Sequence, residues 1–440
     1  MSGAMLDAVV VGGGPAGAVC ATLLAREGAA VALLERDEFP RFHIGESMLP
    51  YMAGLLERLD LLDVVKEQGY VVKRGGEFID PTGTKFFSPG VFRADFAKQG
   101  EGRHTETFQV ERAHFDRVLV EQARAAGARV MHGAQVTDFL QEDDRLTGVG
   151  FRYQGANPRI RARYIIDASG RAGKIANRFG LRRSVDKLRM VAVYRHYTGL
   201  DERHNPGHEG DIQIGAHDDG WVWAIPLSAD TVSVGTVMPR EVFRSGTADS
   251  LFATHVARVP RITQRLTGTR PTMELRVETD YCYHTDTVTG PGWLIVGDAG
   301  CFGDPMFSGG VLVAMATAAR AAATITGALA DPAREQRLFD DYAGFFKTGY
   351  DTYIRLIHSF YDSELISAIA DSTVPRDKLE MYMVRLLGGD FWSEHNPISE
   401  ALRAIPEWDT FSPFEPVFGC PVYPERDSAD REELAAGARP

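Results

Sequence analysis

The chain has 440 residues, 44% hydrophobic and 25% charged, enough for a large buried core and two or three structural units. Its net charge of −12 argues against a nucleic-acid partner, which would need clustered Lys and Arg to meet phosphates. Cys20, Cys282, Cys301 and Cys420 match no zinc or CxxC spacing, so no metal site is expected and a reduced, cytoplasmic enzyme is.

A strand starting at about Leu6 makes a leader peptide unexpected. No run of about 18 uninterrupted apolar residues predicts a membrane span. Residues 6–11 read as a buried strand, 16–27 as a helix and 30–35 as a second apolar strand, the β-turn-α-β unit of a doubly wound parallel sheet. Residues 46–68 have helical spacing, with Leu49, Met52, Leu55, Leu56 and Leu59 on one side. Pro81-Thr82-Gly83 and Ser88-Pro89-Gly90 are turn signals between short β-like runs. Residues 112–126 predict a helix burying Phe115, Val118, Leu119 and Ala123, followed by strands at 129–131, 145–153 and 161–166. Residues 190–198, 211–214, 221–226 and 232–237 look like a run of antiparallel strands that could flank a substrate. A strand at 293–296 and a small-residue helix at 311–329 follow. Residues 338–365 carry an aromatic stripe suited to core or to covering a pocket, and from Tyr423 the tail is polar.

Gly12, Gly14 and Gly17 match G-x-G-x-x-G between strand and helix, with Ala16 inside the turn. The first glycine permits the turn, the second admits a pyrophosphate to the backbone, and the third lets helix and strand pack closely. Glu35, 18 residues past Gly17 at the end of the next strand, can accept hydrogen bonds from an adenosine ribose.

Three segments resemble the FAD-dependent aromatic hydroxylase superfamily. Tyr164-Ile165-Ile166-Asp167-Ala168-Ser169-Gly170-Arg171 is similar to its central motif. Leu294-Ile295-Val296-Gly297-Asp298-Ala299 is similar to its second FAD fingerprint, whose Asp holds the ribityl chain. Val110-Glu111-Arg112 with Phe115-Asp116 resembles the helix whose Arg contacts the flavin side. A carboxylate at a strand end before small residues can also accept from ribityl hydroxyls on chemical grounds, and the open alternative for Asp298 is a cap or turn. The resemblance implies FAD, used as FADH2, held by Gly12, Gly14, Ala16, Gly17, Glu35, Arg36, Arg41, Ser47, Arg112, Asp298 and Gly310. The absence of a second glycine fingerprint for NAD(P)H suggests a separate NAD(P)H-dependent flavin reductase as partner.

Four further segments resemble the flavin-dependent halogenases, in the branch acting on phenols and pyrroles. They are Arg41-Phe42-His43-Ile44-Gly45-Glu46-Ser47-Met48-Leu49-Pro50, Val72-Lys73-Arg74-Gly75-Gly76-Glu77-Phe78, Trp221-Val222-Trp223-Ala224-Ile225-Pro226 and Asp304-Pro305-Met306-Phe307-Ser308-Gly309-Gly310-Val311. In that family reduced FAD and O2 give a C4a-hydroperoxide, chloride or bromide attacks it, and the resulting hypohalous acid is aimed at an aromatic ring. The resemblance makes Lys73 the directing amine and Ser308, Gly309 and Gly310 the halide site, since N–H groups opening a helix suit an anion. Trp221 and Trp223 alternate on one strand face and, with Pro305 and Phe307, would wall the active site. Lys85, after a turn, is expected to face water.

The tryptophan-halogenating branch carries a glutamate where this chain has Phe307, which points to a self-stabilising ring such as a phenol or pyrrole. The substrate would be an aromatic small molecule or an acyl or peptidyl group on a carrier protein, in natural-product biosynthesis. Glu46, Glu77 and His43 are candidate bases by proximity. The shared FAD motifs also leave open an aromatic monooxygenase, a prenyl-chain-type reductase or a non-catalytic flavin-binding protein. The expected architecture is an α/β doubly wound FAD domain (about 1–40, 100–180 and 275–330) with an inserted β-rich substrate region (about 41–99 and 181–274). A helical C-terminal cap (331–422) and a polar tail (423–440) complete it.

Overall fold

Strands Leu6–Val11 and Val31–Leu34 carry almost unbroken apolar runs because both their faces are covered. They occupy the middle of an eight-stranded sheet with main-path order Thr289–Gly290, Trp293–Ile295, Arg159–Asp167, Leu6–Val11, Val31–Leu34, Arg129–Met131. All pairs from Trp293–Ile295 to Arg129–Met131 are parallel. Gln135–Glu142 and Arg145–Arg152 extend it as an antiparallel arm. The computed structural model describes residues 5–81, 85, 90–201, 203, 207–279, 282–362 and 376–424. Most of the two turn signals at 81–90, residues 363–365 of the aromatic stripe and all but the first two residues of the tail lie outside these residues.

The glycine-turn helix Pro15–Arg26 packs between Gly310–Ala330 and Arg112–Ala125. The single helix expected over 46–68 is two, Pro50–Arg58 and Leu62–Lys66. Pro50 sets the first helical position, and Asp60 in the left-handed region (φ 54°) separates the two.

The second large sheet runs Arg270–Pro271, Met190–Thr198, Thr231–Pro239, Gly220–Pro226, Ile212–His217, Gly75–Asp80, Gly90–Asp95, with Arg276–Thr279 also on Met190–Thr198. It is antiparallel except where Ile212–His217 meets Gly75–Asp80. Strand alternation divides its side chains. Val191, Val193, Val222, Ala224, Val232, Val234 and Ile79 face Phe252, Val256 and Ile262 of helices Ala248–Ala257 and Pro260–Arg265. Phe78, Ile214, Trp221 and Trp223 point the other way, into the main core.

The 27-residue helix Glu335–Tyr361 lies on Gly310–Ala330 and is followed by Arg376–Leu387 and Pro397–Arg403. Gly310–Ala330 is long and apolar enough to cross a membrane by length and composition, but 72% of its apolar window is buried in the fold. The whole is the expected α/β class, a doubly wound sheet with a β-rich region and a helical C-terminal part.

Candidate active site

The strand-to-helix turn uses its glycines for two purposes. At Gly12 (φ +107°) a Cβ would sit 2.3 Å from the Ala168 carbonyl oxygen, and at Gly17 one would sit 1.9 Å from the Gly12 oxygen. At Gly14 the nearest atom to such a Cβ would be an Arg41 guanidinium nitrogen at 3.6 Å. Gly14 also starts the helix without a side-chain cap, so this open face presents the first helical N–H groups to an anion. Glu35 is buried, and its carboxylate accepts from Gly13 N at 2.6 Å and Asp37 N at 2.9 Å, which fixes it beside the turn.

One carboxylate positions two of the expected arginines. Fully buried Asp116 accepts from Arg41 Nη1 at 3.0 Å and from Arg112 Nε at 2.7 Å and Nη2 at 3.1 Å. Arg112 also donates to the Ile44 and Gly45 carbonyls at 2.7 and 3.3 Å, tying the segment after the second strand to this helix. Asp298 lies deep in the molecule yet keeps an open flank. Burial pushes its carboxyl from 3.8 to about 7, opposed by Arg112 and Arg171. Ala16 lies against Gly297, where a Cβ would be 3.6 Å from the Ala16 Cβ, and nothing stands within 4 Å of a Cβ on Gly310. The open Gly14 face, the hydrogen-bonded Glu35 and the deep, part-exposed carboxyl of Asp298 fit an extended dinucleotide such as FAD. Arg36 stands apart from this set, exposed and paired with Asp37 at 3.2 Å.

Lys73 ends strand Val71–Lys73 and is buried, at 2% exposure. Its Nζ donates to Ser47 Oγ and to the Met48 carbonyl, both at 2.8 Å, and stands 5.4 Å from the Phe96 ring centre. Ser47 Oγ thus accepts from the lysine and keeps its own O–H to donate. An ammonium has three donors, so one remains for a guest. Burial lowers the amine from 10.5 to about 7, with Asp211 pulling the other way. The amine borders a cavity of about 20 Å³, room for a species the size of a water, walled mainly by Leu49, Phe78, Phe96, Ile214, Phe307 and Leu387 with Ser308 at its edge.

The loop before helix Gly310–Ala330 reaches this cavity. Pro305 opens a 3-10 turn, Phe307 is buried 6.2 Å from Phe78 ring to ring, and Ser308 is in the left-handed region (φ 57°). Gly309 N–H is already given to Tyr353 Oη at 3.3 Å, which leaves Gly310 N–H, unbonded among the described residues, as the expected halide donor. Trp221 and Trp223 are buried with ring centres 5.6 Å apart, on the sheet face that carries Phe78 and Ile214. Neither indole lines the cavity. Trp223 lies flat on Gly235, where a Cβ would be 2.2 Å from its ring, and Trp221 Nε1 donates to Tyr361 Oη at 3.0 Å.

Residues 5–344 match the family described as FAD binding domain. A tryptophan 2-halogenase of Chondromyces crocatus is 32% identical over 362 residues, 80% of this chain and 67% of that protein. This chain is a flavin-dependent halogenase. The 1H-pyrrole-2-carbonyl-[peptidyl-carrier protein] chlorinase of Pseudomonas fluorescens is 28% identical over 408 residues, 88% of this chain and 90% of that protein. Among solved structures, the flavin-dependent brominase Bmp2 superposes with a TM-score of 0.79 at 26% identity, covering 92% of this chain and 99% of that one. The cofactor is FAD, with halide and O2 as co-reactants of the family.

In this halogenase the candidate bases have separate settings. Glu77 is held by Arg261 and Gln213, and the Arg261 ion pair keeps its carboxyl below the usual range despite burial. Glu46 is buried and meets His196 Nε2 at 2.7 Å. His43 is exposed, with Nδ1 2.6 Å from the Ile44 carbonyl oxygen. Lys85, expected in water, is half-buried with Nζ 3.4 Å from the Tyr361 carbonyl oxygen. Sequence reasoning missed Tyr353, Tyr361 and the clamp role of Asp116. Asp116 lies 75 residues from Arg41, and no local pattern marks that pairing.

Proposed function

We propose that this halogenase chlorinates or brominates an electron-rich aromatic ring, phenolic or pyrrolic, with Lys73 directing the electrophile. The observation that carries the reading is Lys73 itself. It is buried, fixed by two 2.8 Å hydrogen bonds and beside a cavity too small for anything but a compact species. Gly12, Gly14, Ala16, Gly17, Glu35, Arg41, Arg112 and Asp298 would hold FAD, whose reduced form with O2 supplies the two-electron oxidant for halide. The Gly310 N–H at the helix start would seat the halide, with Ser308 and Gly309 shaping the approach. In its ammonium form, Lys73 has a third N–H that would hydrogen-bond the oxygen of hypohalous acid and hold it toward the ring. The ring carbon then takes the halogen, and its proton leaves with the hydroxyl as water.

Position 307 supports the substrate class: Phe307 packs on Phe78 where the tryptophan-halogenating branch carries a glutamate, and no carboxylate among the described residues stands beside the Lys73 cavity. A ring that stabilises its own cationic intermediate needs no such carboxylate. A carrier-bound acyl substrate is supported by the near-complete match in length to the pyrrolyl-carrier chlorinase. FADH2 would arrive from a separate NAD(P)H-dependent flavin reductase.

The test supplies reductase, NADH, FAD and bromide or chloride, with free phenols, tryptophan and carrier-bound pyrrolyl or aryl thioesters, read by product mass. The expected product gains halogen with its isotope pattern. Lys73→Ala should still oxidise FADH2 and yield no halogenated product. Normal halogenation by that variant refutes the role given to Lys73. Turnover of tryptophan alone refutes the substrate class.

A further inference from the structure

The helix Glu335–Tyr361 grips both ends of the Asp304–Gly310 loop with two tyrosine hydroxyls. Tyr353 Oη donates to the Asp304 carbonyl oxygen at 3.0 Å and accepts from Gly309 N–H at 3.3 Å. Tyr361, at the helix end, donates from Oη to Asp304 Oδ2 at 3.0 Å and accepts from Trp221 Nε1–H at 3.0 Å. The other Asp304 oxygen, Oδ1, accepts from Met306 N–H at 3.1 Å. The fit is steric as well as polar: a Cβ on Gly309 would lie 2.5 Å from the Tyr353 ring. Burial drives both phenols well above their ordinary range, so both stay protonated donors.

We propose that Tyr361, together with Tyr353, is a positioning residue for halogenation: it sets the halide loop and locks that loop to the tryptophan strand. The proposal rests on reading Ser308–Gly310 as the halide site. A loop with two adjacent glycines and a left-handed Ser308 has many backbone states, and an anion held by backbone N–H groups needs one of them. The two hydroxyls hold the loop at Asp304 and at Gly309. Neither tyrosine lines the Lys73 cavity, so their influence passes through Asp304, Gly309 and Trp221. One side chain thereby joins the aromatic strand, the halide loop and the C-terminal helix.

The test uses full-length enzyme with FAD, a flavin reductase, bromide and a phenol trap, comparing wild type with Tyr361→Phe and Tyr353→Phe. Four quantities are read: KM for bromide, KM for the phenol, product per FADH2 oxidised, and Tm. Each variant cuts two hydrogen bonds and should raise the bromide KM at least about fivefold, the factor for a single net hydrogen bond, and lower product per FADH2. The phenol KM should hold. Trp221→Phe combined with Tyr361→Phe should add less than the two single effects predict, because both cut the same chain of bonds. A bromide KM equal to wild type in both variants, even with a lowered Tm, overturns the proposal and leaves the tyrosines as scaffold. If Tyr361→Phe does not fold, Tyr353→Phe carries the same test. A wild-type enzyme that incorporates no bromine at any concentration refutes the halogenation reading instead, so the two failures are separable.

Discussion

The buried amine of Lys73 carries a cost that depends on pH, and Lys73→Met removes it while keeping an unbranched side chain. The gap between 10.5 and about 7 corresponds to about 5 kcal/mol of unfavourable charge burial. Below pH 7 the folded and unfolded chains both hold the proton, so folding bears that whole cost. Between pH 7 and 10.5 only the unfolded chain is protonated, and stability therefore rises with pH. From pH 8 to pH 6 wild type should lose about 1–2 kcal/mol through this group, and Lys73→Met nothing. For a chain of 440 residues that is about 1–2 °C in Tm. The variant also strands Ser47 Oγ and the Met48 carbonyl, at about 1–3 kcal/mol each, but that offset is independent of pH. The assay is a pair of thermal melts at pH 6, 7 and 8 with saturating FAD, read as the difference between the two proteins so that other titrating groups cancel. A gap that stays constant from pH 6 to pH 8 refutes the reasoning, because the amine would then titrate as if in water.

Gly17→Ala forces a Cβ to 1.9 Å from the Gly12 oxygen and should reduce FAD affinity more than 100-fold, measured by flavin fluorescence quenching. Asp298→Asn should remove a pH dependence: if the ionised carboxylate holds the ribityl hydroxyls, wild-type Kd for FAD falls about tenfold from pH 6 to pH 8 around a carboxyl near 7, and the variant's Kd stays flat. Asp116→Asn leaves Arg41 and Arg112 without their shared countercharge. Because Arg112 is buried, the variant should lose about 3–5 kcal/mol in urea unfolding, whereas an ordinary helix-surface Asp→Asn would cost almost nothing.

The parts of the fold legible in sequence are those whose cause is local. Met190–Thr198 and Arg129–Met131 fall at their expected bounds, and Leu6–Val11 does too, because apolar runs between turn residues have one economical conformation. Gln135–Glu142 was not legible: its mixed polar pattern and two register shifts against Arg145–Arg152 erase the period of two. The start of the helix at Pro50 is readable in principle from the proline, but the break at left-handed Asp60 is not, since a lone Asp rarely marks such a turn.

The candidate site divides along the same line. Gly12, Gly14, Gly17 and Glu35 act within one β-turn-α-β unit, so spacing alone places them. Lys73 and Ser47 were both singled out, yet their contact arises from the pairing of Val71–Lys73 with Thr107–Gln109 and the bridge from Gln109 to Ser47. That register depends on the whole sheet. The tyrosine grip is the extreme case. Tyr361 lies 140 residues from Trp221 and 57 from Asp304, and in sequence it is one more member of an aromatic stripe. Buried hydroxyls at the end of such a stripe still have to find partners. In an aromatic helix laid over an active site, each phenol is thus a bond to be accounted for, and the strands and loops that supply the partners are the ones the helix holds in place.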